Sequence, residues 1–292
     1  AGLKEEALPF MLRAAAAAAR LFAYADGILF LGRAETVLHD LHPHDPPPER
    51  VRMLAQVLQQ RGDYEYAAGH YQPALASYEK ALDLARATGE PQREADLLRA
   101  IGRTHYLLGR PVESQKNYDN AIANYSKLEA EARAGGDEAA VARASRELGK
   151  LHFFKGELDR SHAYVTEAVR IAAEIGDSRL QGAALNNLGG IHFQRGELEQ
   201  ALACHGEALA IRERERDEAG LAQSHKNLGI AHYRHGEMDE AGRHLEEALA
   251  LYRKVVDRRG EAVTLRHLGN LHYERGDHAG ARRHWEASLS LC

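Results

Sequence analysis

The chain has 292 residues, 44% of them hydrophobic, and a formal net charge of -5. This charge excludes a global attraction to nucleic acid or acidic lipid, so charge-driven recognition requires a local patch. Two cysteines, Cys204 and Cys292, cannot form a disulfide framework and suit a reducing cytoplasm. No apolar run approaches the roughly 20 residues of a membrane helix. None of the 8 prolines lies after Pro111, so the remainder can be helical without interruption.

Residues 1–49 form a first segment that is less regular in sequence than the rest of the chain. Helical patterns over 5–21 and 24–41 predict one helical hairpin. The alanine run at 14–19 is flanked by arginines and favours helix rather than a signal peptide. A Pro-rich stretch at 41–49 then predicts a stiff connector to the rest of the chain.

Four residues in and beside this connector carry side chains of metal-ligand type: His39, His42, His44 and Asp45. No second ligand group is near them in the sequence. Because solvated clusters of this kind are common without a bound ion, we favour a solvated cluster over a metal site.

From about residue 50 the chain repeats. Leu148, Leu188, Leu228 and Leu268 lie forty residues apart, and each is followed at once by Gly and four positions later by His. The glycine column extends back to Gly62 and Gly102. Small residues recur after each Gly with mostly bulky residues between them, which predicts two closely packed helices joined by a short Gly-containing turn. A fixed period of this length indicates a repeat array.

One interval of the glycine column is longer than the others. Gly102 and Gly149 are forty-seven residues apart. The extra residues fall near 128–137 and amount to about two helical turns. We therefore expect a longer second helix in this repeat that keeps its apolar face in phase and stops near Gly135.

These columns resemble the tetratricopeptide repeat (TPR) family. The family pattern of Leu-Gly, an aromatic, then Ala, a bulky residue and Ala corresponds to Leu228, Gly229, His232, Ala241, Leu245 and Ala248. The forty-residue period is similar to a subclass with lengthened helices, and the N-terminal segment resembles the start of the TPR region in large bacterial signalling ATPases. The resemblance implies an all-α superhelix, or α-α solenoid, of about seven antiparallel helical hairpins. Six of them are expected at 50–89, 90–136, 137–176, 177–216, 217–256 and 257–292.

Histidine occupies the family's aromatic position in five repeats, as His105, His152, His192, His232 and His272. A metal ladder along this column would need ligand atoms about 2 Å from a shared ion. Packed helices, by contrast, are about 10 Å apart. We therefore expect each imidazole to pack between paired helices with one ring nitrogen bonded locally, and we assign neither a metal nor another cofactor.

Catalytic signatures are missing from the sequence. It contains no phosphate loop, no His-Glu-x-x-His, no Cys-x-x-Cys and no Gly-x-Ser-x-Gly. We predict that the chain is not an enzyme. The run at 212–218 alternates in charge, which predicts a solvated helix end with internal ion pairs rather than a nucleic-acid contact.

The resemblance also implies a concave groove lined by the first helix of each repeat. Near each leucine position, this face carries a mainly basic or amide column beside an unbroken aromatic column, groups that suit peptide carboxylates, carbonyls and apolar contacts. The alternative is that these aromatics pack only between repeats. The predicted partner-binding residues are Arg99, Arg103, Tyr106, Arg146, Lys150, Phe153, Asn186, Phe193, Lys226, Tyr233, Arg266, Asn270 and Tyr273.

The function expected from these features is protein-protein interaction. The chain would serve as a scaffold or sensor arm in cytoplasmic bacterial signalling and bind an acidic partner segment, without nucleic acid or membrane partners. Two alternatives stay open: a signal-peptide receptor of quorum-sensing type, and the regulatory part of a multidomain ATPase, kinase or cyclase. The last helix lacks a polar capping helix, so we expect either more chain beyond it or self-association through this end.

Overall fold

A computed structural model describes residues 2–21, 23–41 and 46–291. Over these ranges the chain forms fourteen helices and no strand. Paired as consecutive hairpins, they confirm the predicted all-α fold of about seven antiparallel hairpins. The helices are α1 (Gly2–Arg20), α2 (Tyr24–Leu41), α3 (Pro48–Ala67), α4 (Tyr71–Ala87), α5 (Pro91–Leu107), α6 (Pro111–Gly135), α7 (Glu138–Phe154), α8 (Leu158–Glu174), α9 (Ser178–Arg195), α10 (Leu198–Glu215), α11 (Glu218–His235), α12 (Met238–Lys254), α13 (Arg258–Glu274) and α14 (His278–Ser290).

The chain divides into two compact units, Ala1–Ala130 and Glu131–Cys292. The first contains α1 to α5 and most of α6, and the second contains α7 to α14. Among the described helices, none has the length and apolar character needed to cross a bilayer. His42, His44 and Asp45 of the N-terminal histidine cluster lie outside the described residues, so this cluster has no structural account.

The two helices of a hairpin approach most closely at the glycine column. A Cβ atom added to Gly229 would lie 2.7 Å from Cγ of Leu245 and 3.1 Å from the carbonyl oxygen of Ala241. At Gly149 the added atom would lie 2.3 Å from Cγ2 of Val165. These distances leave no room for a side chain, which confirms the close helix pairing that the sequence predicts.

Adjacent hairpins pack through apolar contacts between the second helix of one hairpin and the first helix of the next. Leu188 and Ile191 on α9 pack in one buried cluster with Val165 on α8. Leu185, one turn earlier on α9, packs with Ile211 on its own partner helix and with the half-buried Val169 on α8. These apolar contacts join α9 to the second helix of the preceding hairpin.

The histidine column joins the two helices of each hairpin at their turn. Nδ1 of His152 lies 2.6 Å from Oε2 of Glu157, the residue that precedes α8. The corresponding pairs are His192 with Glu197, His232 with Glu237 and His272 with Asp277. This confirms local bonding of one ring nitrogen in four of the five histidines.

His105 is the exception. Arg110 stands where the other hairpins have a carboxylate, and the buried Nδ1 of His105 has no hydrogen-bond partner. Burial, reinforced by the positive charge of Arg110, lowers the pKa of His105. The imidazole here fills space without linking the helices.

The charged run that begins at Arg212 is not a solvated helix end throughout, so that part of the prediction is wrong. The Arg212 side chain is buried, and Nη1 donates to the carbonyl oxygen of Gly220 at 2.8 Å and to Oγ of Ser224 at 2.7 Å. Asp217 accepts a hydrogen bond from the backbone N–H of Gly220 and caps α11. The run therefore fixes the start of the next hairpin, because its charges bond across the turn to α11.

Each turn between hairpins requires one residue in the left-handed backbone conformation, with positive φ. Gly176 supplies it after α8 with φ of 72°. Forty and eighty residues later the same place is taken by Arg216 and Val256, with φ of 53° and 57°. Left-handed backbone costs an L residue roughly 1–2 kcal/mol, and a β-branched residue is the least suited to it. The last two such turns in the described chain are therefore strained.

We expect Gly229→Ala to destabilise the second unit by about 1–2 kcal/mol, because overpacking outweighs the gain in helix propensity. Gly190→Ala is the matched control: it is also in the middle of a helix, but an added Cβ meets nothing within 4 Å. Chemical denaturation should show a loss for the first variant and no loss for the second. Equal effects would contradict the close approach.

We expect Val256→Gly to raise the thermal midpoint, with a stabilisation of about 1 kcal/mol, because glycine adopts the left-handed backbone without strain. The control is Val255→Gly at the neighbouring position, where φ is -84° and glycine relieves nothing. A lower midpoint for Val256→Gly than for the native chain would contradict strain at this turn.

A third prediction concerns pH. His205 occupies the bulky position opposite Gly189, and burial lowers its pKa to about 4. Below pH 6.5 the unfolded chain binds a proton that the folded chain excludes, so stability falls as the pH drops from 6.5 towards 4. His205→Leu, which copies Leu245 at the equivalent place in α12, should remove a penalty on the order of 3 kcal/mol at the acidic end.

Denaturation of the native chain and of His205→Leu at pH 7 and at pH 4.5 measures this effect. The two stabilities should diverge as the pH falls. His278→Gln, which changes an exposed histidine of the same unit, is the control. Parallel loss of stability in the native chain and His205→Leu would show that His205 is not the source.

Candidate functional site

In the first unit the predicted groove cations already have partners within the chain. Nη2 of Arg99 lies 3.4 Å from Oδ1 of Asp96. The guanidinium of Arg103 lies over the ring of Tyr66, 4.1 Å from its centroid. Tyr106 points outward and is 69% exposed. The positive charges of Arg99 and Arg103 therefore have partners within the chain. Of the three predicted residues, Tyr106 extends furthest into solvent.

Asp63 adds a negative charge to the same region. Its Oδ1 accepts a hydrogen bond from the hydroxyl of Tyr78 at 2.8 Å. Burial raises the pKa of Asp63, while the Tyr78 bond and the positive charges of Arg103 and Arg99 act in the opposite direction. The predicted column is mainly basic or amide, and in the first unit Asp63 adds a carboxylate beside its cations.

In the second unit, two predicted cations share one carboxylate. Nη2 of Arg146 lies 2.8 Å from Oε1 of Glu147, and Nζ of Lys150 lies 2.8 Å from Oε2 of the same residue. Glu147 is buried at 8% exposure. A buried carboxylate needs such partners, so Glu147 orients Arg146 and Lys150 and balances their charge.

A cavity of about 230 Å³ opens on this side of α7, α9 and α11. Its floor is apolar, with Val165 and Ile191 buried and the rings of Phe153 and Phe154 at its side. The predicted residues Lys150, Phe153 and Asn186 all line it, together with Ser161, Asn187, Gly190 and Asn227. Because Gly190 has no side chain, the space above it is open. The cavity can take an aliphatic or aromatic side chain.

Two amides form the polar edge of this cavity. Nδ2 of Asn227 donates to Oδ1 of Asn186 at 2.8 Å, which links α11 to α9. Asn186 is 7% exposed, and Asn227 is half-buried. After this bond, each amide retains donor and acceptor capacity, which matches the alternating N–H and C=O groups of an extended peptide backbone.

A second cavity, of about 610 Å³, lies on the other side of α11. Its walls carry the cations Arg212, Lys226 and Arg259 and the carboxylates Asp217 and Asp257. Both aspartates already cap helices through backbone N–H groups. Burial lowers the pKa of Lys226, while the charge of Asp257 acts in the opposite direction. The positive side chains therefore outnumber the negative ones around this cavity, which suits an anionic group.

The remaining predicted residues line neither cavity. Phe193 lies under the guanidinium of Arg234, 5.3 Å from the ring centroid, and Oδ1 of Asn270 accepts a hydrogen bond from Nε1 of Trp285. Tyr273 is 52% exposed and its ring packs against Trp285. The others are Tyr233, which is half-buried, and Arg266, which is exposed. Of the predicted residues, three therefore line the first cavity, Lys226 alone lines the second, and the others are dispersed.

Sequence reasoning missed three residues that shape the cavities: Asn227, Gly190 and Arg212. Asn227 follows the predicted Lys226 directly, and a helix places the two side chains about 100° apart, so they line different cavities. Gly190 is the only glycine at its column position, which was the available signal for open space. Arg212 gave no signal, because its alternating charged neighbours resembled a solvated surface.

The described residues contain one cluster with metal-binding geometry: His232, Glu240 and His244 each offer a ligand atom within 4.8 Å of the others.

Cys204 is free and half-buried, and burial raises the pKa of its thiol to about 11, which makes it a poor nucleophile.

Comparison with known proteins identifies the repeat. The family model described as "Tetratricopeptide repeat" matches residues 52–127, 180–254 and 234–292. None of the curated proteins matches the sequence.

Several solved structures share the fold. The apo quorum sensor NprR from B. thuringiensis is 14% identical, with 99% of this chain and 77% of that one aligned and a TM-score of 0.63. The Rap conjugation gene regulator of plasmid pLS20, solved with the Phr* peptide, is 20% identical over 92% and 84% of the two chains, with a TM-score of 0.58.

A third match is to part of a larger protein. A signal transduction ATPase with numerous domains from Pyrococcus horikoshii, which has a TPR sensor, is 13% identical over 94% of this chain and 41% of that chain, with a TM-score of 0.57. These likenesses establish the fold. Because the family model matches more than half of the sequence and the glycine and small-residue columns pack as they do here, the chain belongs to the tetratricopeptide repeat family.

Proposed function

We propose that the protein is a non-catalytic interaction module that binds an extended partner segment across α7, α9 and α11. The observation that carries this proposal is the cavity beside the Asn186–Asn227 pair. Two further features, the neighbouring cationic cavity and the family to which the chain belongs, support it.

The apolar cavity supplies an anchor. Val165, Ile191 and Phe153 offer an apolar floor and side, and a volume of about 230 Å³ is enough for one large side chain. Burying a Leu or Phe side chain contributes about 1.5–3 kcal/mol. A single apolar residue of the partner would therefore dominate the affinity.

The amide pair fixes the backbone of the bound segment. Asn186 is held in place by its bond to Asn227, so little side-chain entropy is lost when a ligand binds. Amides bond main-chain groups of any sequence. They favour an extended segment, because only there are the N–H and C=O groups unpaired.

The cationic cavity gives the preference for acidic partners. Lys226 lines it and the next residue, Asn227, lines the apolar cavity, so a segment that leaves one cavity meets the other. Lys226 and Arg212 are close to an anionic group that enters there. Arg146 and Lys150 contribute less, because Glu147 already balances them.

A signal-peptide receptor is the second candidate. The Rap regulator of pLS20, with which this chain shares the fold, was solved with a bound peptide, and NprR is described as a quorum sensor. On this proposal the ligand is a free short peptide and the setting is bacterial and cytoplasmic. A sensor arm of a multidomain ATPase is a third possibility, supported by the TPR sensor of the Pyrococcus protein.

The test is a selection of random twelve-residue peptides displayed on phage against the immobilised 292-residue chain, followed by affinity measurements with synthetic copies. We expect enriched peptides to carry one large apolar residue near Asp or Glu. Asn186→Ala combined with Asn227→Ala should weaken binding at least tenfold, or about 1.4 kcal/mol. Lys226→Gln should weaken acidic peptides and reduce the dependence of their affinity on salt.

Gln194→Ala, which changes an exposed amide of α9 outside the cavities, is the control and should bind as the native chain does. Peptides that bind the double variant and the native chain equally would refute the cavity as the site. A free peptide that binds tightly without a folded partner would favour the receptor. Binding that requires a folded protein would favour the scaffold.

A further inference from the structure

We infer that the hairpin of α11 and α12 binds one divalent zinc-like ion through His232, Glu240 and His244. This goes beyond the proposed function and does not depend on it. One ligand comes from the end of α11, and the other two lie one turn apart on α12. Two imidazoles with one carboxylate are a zinc ligand set, and they leave a fourth position for water.

The hydrogen bonds of the two histidines leave a lone pair on Nε2 of each. Nδ1 of His232 lies 2.5 Å from Oε2 of Glu237, so this nitrogen carries the proton and Nε2 is free to ligate. Nε2 of His244 lies 3.0 Å from Nη2 of Arg243, which can only donate, so this nitrogen is an acceptor. Its Nδ1 therefore donates to Nδ1 of His225, at 2.9 Å.

Both imidazoles are thus oriented by partners behind them. A metal-ligating histidine normally gives its second N–H to a carboxylate or another acceptor, which fixes the tautomer and the ring position. Glu237 performs this role for His232, and His225 performs it for His244.

A protein cation already lies among these donors. Nη2 of Arg243 is 2.5 Å from Oε2 of Glu240 and 3.0 Å from Nε2 of His244. Two of the three donors therefore converge on a positive charge. The side chains of Arg243 and Glu240 are 57% and 50% exposed, so the guanidinium can turn into solvent when an ion takes its place.

Binding of an ion requires side-chain rotation in this cluster. One possible ligand atom from each of the three residues lies within 4.8 Å of the others. Ligands about 2.1 Å from a tetrahedral ion are about 3.4 Å apart. The rings of His232 and His244 are stacked with an angle of 6°, so at least one must rotate for both lone pairs to meet. The exposed Glu240 can approach by rotation of its own side chain.

The other hairpins of the second unit lack one or more of the three ligand residues. Equivalent to Glu240 and His244 are Arg160 and Tyr164 in α8, and Gln200 and Cys204 in α10. In the last hairpin His272 and His284 stack at 4.7 Å, but Gly280 takes the place of the carboxylate. These positions provide substitutions that the fold already accepts.

The test uses the 292-residue chain, freed of metal with chelator and titrated with Co²⁺ under visible absorption and with Zn²⁺ by calorimetry. We expect one ion per chain, with Zn²⁺ displacing Co²⁺. Glu240→Gln should weaken Zn²⁺ binding at least tenfold, and His244→Tyr should abolish binding at this site. Arg243→Ala, which copies Ala163 and Ala203, should strengthen it, because the competing cation is removed.

His284→Tyr makes the same change in the last hairpin and serves as the matched control, with unchanged affinity expected. Thermal unfolding without metal checks that each variant is folded. Failure of the native chain to bind Zn²⁺ with a Kd of about 100 µM or tighter would overturn the inference. Equal loss in His284→Tyr and His244→Tyr, or unchanged binding in His244→Tyr, would also overturn it.

Discussion

The close approach of two helices at a glycine is the contact on which each hairpin depends. At Gly229 and Gly149 the facing side chain occupies the space where a Cβ atom would be. This fixes both the distance between the helices and their register, because the bulky residue fits opposite only one position. Residues before and after the glycine are then directed to defined places. Lys226 and Asn227 reach the two cavities, and His232 reaches the turn.

In the histidine column, the neighbouring residues decide what each imidazole does. Where a carboxylate precedes the second helix, the imidazole bonds to it and joins the helices, as in His152 with Glu157. The lone pair on the other ring nitrogen is then available. The surroundings of the ring then differ: His152 stacks on the ring of Tyr164, whereas His232 lies near Glu240 and His244.

The charge of the groove also depends on local partners, because nearby carboxylates balance several of its cations. A row of cations in the sequence suggests a positive surface, but Glu147 lies between Arg146 and Lys150, and Asp96 lies beside Arg99. On the proposed function, the attraction for an acidic partner is concentrated around Lys226 and Arg212, where Asp217 and Asp257 are engaged in helix caps. Recognition by the proposed site depends on amides and apolar contact as much as on charge.

The sequence by itself determined the helical repeat, because glycine, small and apolar residues recur at a fixed period and their packing is local to each hairpin. It also predicted that Lys150, Phe153 and Asn186 belong to a binding surface, and these three residues do meet in one cavity. Only the tertiary structure decided that Asn227 pairs with Asn186, that Arg212 is buried, and that His232 lies near two α12 residues. Each of these contacts joins different helices, and their side-chain orientations depend on the packed neighbours rather than on the repeat period.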